Sequence, residues 1–131
     1  MISVNFLLVA IVLGGGAWLF SSRTSKKKRE EREATQLADA QADARRWIER
    51  LGGQVMQISG TDTASQQAMA DASERFTAAN SAIAQATTVK QANLARESAL
   101  EGMHYVNAAR EIMGINPGPE LPPLEGQRAA G

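Results

Sequence analysis

From Ile2 to Phe20 the chain carries no charged side chain, and Arg23, Lys26, Lys27, Lys28, Arg29 and Arg32 come directly after. As a helix rising about 1.5 Å per residue, this run covers about 28 Å, close to a bilayer hydrocarbon core of roughly 30 Å. A cleaved signal peptide carries positive charge before its apolar stretch and a small-x-small site after it. Met1–Asn5 is uncharged and Trp18-Leu19-Phe20-Ser21-Ser22 offers no such site. Residues 1–22 are therefore expected to form a retained transmembrane anchor, with the Trp18 indole at the interface. Basic residues resist translocation, and all the nearby ones lie after Phe20. The expected topology is single-pass in the plasma (inner) membrane, N-terminus outside and C-terminal domain cytoplasmic.

Residues 23–33 form a basic juxtamembrane segment suited to anionic lipid, although Glu30, Glu31 and Glu33 dilute it. Within the span, Gly14, Gly15 and Gly16 lower helix propensity but expose backbone to another helix. Ala10 and Gly14 make a small-xxx-small pair, so self-association or docking to another membrane protein's span is expected to use this face.

Beyond the anchor, the chain has room for one small domain. Cysteine is absent, which removes disulfides and thiolate metal sites. The formal net charge of zero conceals a polarity. Residues 23–50 hold nine basic and six acidic side chains, and residues 51–131 hold five and eight. A basic end beside the membrane and an acidic end away from it suit a tethered domain. Nucleic-acid binding needs one coherent basic face instead.

Three helical segments are legible. Helix is expected from residue 25 to about 58, where Leu37, Ala40, Ala44, Trp47, Ile48, Leu51, Val55 and Ile58 recur at steps of three and four; its membrane-distal part, residues 34–60, is the first cytoplasmic helix. Gly52-Gly53 could end or kink it, and Ser59–Thr63 is a richer boundary of turn and cap residues. Met69, Ala72, Phe76, Ala79, Ile83 and Ala86 form a strict a/d seam in the second helix, with Asp71 and Arg75 as an i,i+4 pair outside it. Thr88 with Gln91 makes a capping-box pattern opening a third helix. There Ala92, Ala95, Ala99, Met103, Val106, Ala109 and Met113 share a face, widened by Leu94, Leu100 and Tyr105. Gly114 fits a left-handed C′ position, with Ile115 as the apolar residue after it, and Pro117 forbids continuation.

The connection at 86–91 is short, so residues 61–113 are expected to form an antiparallel helical hairpin. Its seam is mostly alanine and buries little area per residue, leaving the hairpin marginal without the first helix, a second copy or a partner. The fold class is therefore all-α: an anchor, a cytoplasmic helix and a hairpin, forming a three-helix bundle or a coiled-coil-like rod. Residues 114–131 read as a disordered, polyproline-like tail. Pro119-Glu120-Leu121-Pro122 matches P-x-x-P within it, a short motif that a helix terminator and tether would equally contain.

No chemistry-bearing constellation is present. His104 is the only histidine, H-E-x-x-H and G-x-S-x-G are absent, and no glycine-rich phosphate loop with a lysine after it occurs. Glu97 and Glu101 read as a like-charged surface pair. No catalytic residue, metal, cofactor or small-molecule substrate is expected.

The runs F-T-A-A-N-S-A-I-A-Q-A-T-T, L-A-R-E-S-A-L-E-G-M-H-Y-V-N-A-A-R-E-I-M-G and N-P-G-P-E-L-P-P-L-E-G-Q lie between Gln67 and Gly126. They resemble a group of actinobacterial single-pass membrane proteins with an N-terminal anchor, an alanine-rich helical region and a proline-rich exit. P-G-P-x-L-P is the most specific part of the match. Relatives often continue into a segment rich in Tyr, Pro, Gly and Trp that is not found here. The resemblance implies a bacterial envelope setting and carries no activity to particular residues.

These readings converge on a non-enzymatic membrane-tethered adaptor. Its expected partner or bundle seam comprises Trp47, Ile48, Leu51, Met69, Phe76, Ile83, Leu100, Met103 and Val106. Two rivals stand beside it: an accessory subunit of a larger membrane complex held through its span, and a lipid-binding helix at the membrane surface.

Overall fold

The structure is a computed structural model that describes the backbone of residues 2–125 and the side chains of residues 25–125. Its regular elements are three helices among the described residues: α1 (Ile2–Gln57), α2 (Thr63–Gln85) and α3 (Val89–Ile112). The chain divides into two compact units, Met1–Gln36 and Leu37–Gly131. The anchor expectation falls on side chains outside the described residues. Among the described residues, no helix is long and apolar enough to cross a membrane. In the first unit, the described side chains from Ser25 to Gln36 are all exposed, including Lys26, Lys27, Lys28, Arg29 and Arg32.

The second unit is a three-helix bundle built from residues 37–57 of α1 with α2 and α3. Each helix boundary has an identifiable cause. Asp62 caps α2 with extended backbone (φ −132°, ψ 176°), and its Oδ1 accepts from the Ser65 backbone N–H at 2.7 Å. Ser65 Oγ accepts in return from the Asp62 N–H at 3.1 Å and the Thr61 N–H at 2.9 Å. This is a capping box with serine in place of the usual Glu or Gln, and it explains how Ser65 is fully buried without an unmet group. Hydrogen bonds from the Ser65 side chain, then from its backbone, hold the Asp62 carboxyl below its ordinary range.

Thr88 caps α3, accepting from the Gln91 N–H at 3.1 Å. The reciprocal arm of the expected box is displaced by one residue. Gln91 Oε1 accepts from the Thr87 N–H at 2.8 Å and not from Thr88. At the far end of α3, Gly114 takes φ +74°, and two bonds close a Schellman motif: Gly114 N–H to Glu111 C=O at 3.1 Å and Ile115 N–H to Arg110 C=O at 2.8 Å. Ile115 itself stays half-exposed.

The core lies along the expected seams. Met69, Ala72, Ala79, Ile83 and Ala86 are buried from the α2 side, and Ala92, Ala95, Ala99, Leu100, Val106 and Ala109 from α3. Phe76, Met103 and Met113 pack against this cluster while partly exposed. Ala44, Ile48 and Leu51 of α1 complete it, supplying what the alanine-rich hairpin lacks. Leu51, Leu100 and Val106 are the large apolar side chains buried completely.

Two glycines let α1 in close. A Cβ on Gly102 would lie 2.4 Å from Leu51 Cδ2, so Leu51 occupies the space that glycine vacates on α3. A Cβ on Gly52 would lie 2.8 Å from the Phe76 ring. The Gly52-Gly53 pair therefore does not end α1, because Gly52 sits where an aromatic ring needs the room and tertiary packing offsets its low propensity.

Register is set by three cross-links: Gln41 Nε2 to Ala86 C=O at 3.0 Å, Arg96 Nε to Asp43 Oδ2 at 2.7 Å, and Arg110 to the Gln54 side chain. Positions on α1 and α3 advance together, so these helices are parallel, with α2 antiparallel between them in sequence.

Several expectations are corrected. Leu94 is 54% exposed and Tyr105 lies at the surface, so α3's apolar stripe is narrower than its sequence suggests. Arg75 does not pair with Asp71. It turns toward Glu101 of α3 at 3.8 Å, and Asp71 accepts from Gln67 instead. Glu97 and Glu101 thus face separate cationic partners, Arg96 and Arg75. Residues 115–125 of the proline-rich tail lie back against the bundle rather than extending from it. After the Schellman turn comes an Asx turn, in which Asn116 Oδ1 accepts from the Gly118 N–H at 3.0 Å with Gly118 at φ +85°. Together they reverse the chain, which returns along the bundle until the Glu125 N–H donates to Glu97 Oε2 at 3.0 Å.

Candidate docking surface

The residues expected to form a partner or bundle seam separate into two groups. Ile48, Leu51, Met69, Ile83, Leu100 and Val106 are buried inside the bundle. Trp47, Phe76 and Met103 remain partly exposed at its edge. The membrane-span residues Ala10, Gly14, Gly15, Gly16 and Trp18, and the topology residue Arg23, lie outside the described side chains.

Trp47 and Met103 open onto a groove between α1 and α3. Helical spacing aligns Trp47, Arg50 and Gln54 on one flank, while Met103, Asn107 and Arg110 line the other. Arg50 lies over the Trp47 ring, its Cζ 4.9 Å from the ring centroid, which fixes the indole and leaves a positive rim. Arg110 joins both flanks through Gln54.

The returning tail covers this groove. Pro117, Pro119, Glu120 and Leu121 roof a cavity of about 340 Å³ over the Trp47 and Met103 side chains. Attachment is thin: Arg110 Nη1 donates to the Pro117 carbonyl at 3.4 Å, Pro117 and Pro119 are exposed, and Leu121 is only half-buried. A second cavity beside His104 is roofed by Pro117, Leu121 and Pro123. Under the tail, His104 Nε2 and Arg110 Nε are buried without a hydrogen-bond partner, in contrast to the fully satisfied Ser65 at the α2 cap. His104, expected on the surface or in the seam, is thus half-buried beneath the tail.

Among the described residues, no three His, Cys, Asp or Glu side chains converge as metal ligands would. The groove offers an aromatic floor, a flexible thioether, guanidinium donors and room for an extended backbone. Sequence reasoning named Trp47 and Met103 but missed Gln54, Asn107 and Arg110, because polar residues between apolar ones read as solvent-facing. Comparison with protein-family models, with curated proteins and with solved structures finds no match.

Proposed function

We propose that this chain is a non-enzymatic, membrane-tethered helical adaptor that presents a small bundle to a partner at the cytoplasmic face of the plasma membrane. The observation that carries this reading is the uncharged run Ile2–Phe20 abutting the basic cluster Arg23–Arg32. The exposure of the described basic side chains supports it. The bundle contributes docking surface through the Trp47/Met103 groove, in keeping with a binding role. The experiment is a mild-detergent pull-down of the tagged full-length chain from its native membrane, read by mass spectrometry. The chain itself is expected to stay in the membrane fraction after alkaline extraction, and a partner is expected to co-purify with it from untreated membranes; recovery of the chain by itself removes the adaptor reading.

A second reading, an accessory subunit held through its span, is favoured by the small residues Ala10, Gly14, Gly15 and Gly16. Gly14→Leu with Gly15→Leu separates the two. A subunit held through its span loses its partner, whereas an adaptor docking through the bundle keeps it.

A further inference from the structure

We propose that the α1/α3 groove is a docking site for an extended, proline-rich segment of a partner protein, and that the chain's own residues 117–123 hold it shut. The proposal rests on the adaptor reading and gives its partner a chemistry. The seated tail shows the chemistry that fits: prolines bordering the same cavity as Trp47, a carbonyl accepting from Arg110, and a leucine two residues after a proline. Polyproline-type backbone has no internal hydrogen bonds and presents its carbonyls outward, which suits a groove built from an aromatic ring and cationic donors. Charge agrees as well. Glu120 of the tail borders the same cavity as Arg50 and Arg110, so the expected partner segment carries an acidic residue among its prolines.

The fit in cis is incomplete, and that makes the tail a replaceable occupant. A space of about 340 Å³ persists beneath it, and two polar atoms under it go unpaired. A partner side chain that fills this space beside Arg110 gains contacts the tail does not make, and one reaching the neighbouring cavity gains the His104 imidazole. A second copy gains none, because each groove is already occupied by the same sequence, and exchange adds the entropic cost of association. A tethered tail acts at an effective concentration of order millimolar, which sets the threshold a partner must exceed.

The test uses full-length chain and a fluorescein-labelled peptide of residues 114–125, monitored by anisotropy. In one variant, residues 117–124 are replaced by glycine and serine at unchanged length, emptying the groove. The peptide is expected to bind this variant at least tenfold more tightly than the wild type, and Trp47→Ala in the same background is expected to remove the gain. Equal binding to both chains overturns the proposal. Should the Gly/Ser chain lose helical circular dichroism, the wild type decides. Excess unlabelled peptide must then accelerate hydrogen exchange of the chain's own 118–125 amides, and unchanged exchange overturns the proposal. A wild-type dimer abolished by the Gly/Ser replacement would make a second copy the occupant and overturn the foreign partner. Failure of these tests leaves the adaptor reading to the pull-down, and failure of the pull-down leaves peptide binding measurable.

Discussion

Toward the bundle interior α3 presents Ala92, Ala95, Ala99, Val106 and Ala109, all completely buried; beneath the tail it presents Met103, His104, Asn107 and Arg110, all partly exposed and bordering cavities. The same helix thus carries a close-packed side and a loosely roofed one. On the first, alanines let backbones approach and complementarity leaves no room for change. On the second, the contacts come from an extended segment held by a few weak bonds. Stability resides on one side and exchangeability on the other.

The contrast can be broken most forcefully at Leu51, which fills the notch at Gly102. Leu51→Ala should cost about 2–5 kcal/mol in urea unfolding, enough to unfold a small bundle. Ala99→Leu tests the same packing by excess and should cost about 1–3 kcal/mol, because Ala99 is completely buried in the helix seam. Leu121→Ala, on the loose side, should cost no more than about 1 kcal/mol, since its side chain is only half-buried. A loss as large as that at Leu51 would dissolve the distinction. Gly53 sharpens it from outside: no atom lies within 4 Å of a Cβ placed there, so Gly53→Ala should raise stability by about 0.5–1 kcal/mol. Gly52→Ala, one residue earlier, should not, because of Phe76.

The smallest expected effect is at the α2 cap. The folded Asp62 carboxyl has a lower pKa than the unfolded one, which is about 3.9. Its contribution is therefore complete above that value and is lost as pH falls through the depressed folded pKa. The wild type should lose more melting temperature than Asp62→Asn between about pH 5 and pH 2. Parallel curves would assign the cap's strength to geometry rather than charge.

Much of the bundle was legible because its signals are local. The 3–4 spacing from Met69 to Ala86 and from Ala92 to Ala109 named the buried faces, and Gly114 before Pro117 named the end of α3. The features that escaped were non-local. Whether Arg75 turns to Asp71 or to Glu101 depends on which helix lies alongside, and the notch at Gly102 exists only once Leu51 arrives. The tail's return had a signal in Asn116-Pro117-Gly118, but proline content suggested an extended exit. Serine at the third position after Asp62 was likewise a readable cap partner, masked by the expectation of Glu or Gln.

The reversal at Gly114 and Gly118 also sets how the bundle answers mechanical load. Asp43, shortly after α1 enters the bundle, and Glu125, where the tail ends its return, line one small pocket with Arg96 and Glu97. Entrance and exit thus share one end. Tension applied between them should therefore load the contacts of α1 and of the tail one after another, as a zip opens, rather than shear the whole alanine seam at once. The expected order under pulling is the groove first, with α2 and α3 still paired, and force spectroscopy with handles at the two ends would read it out.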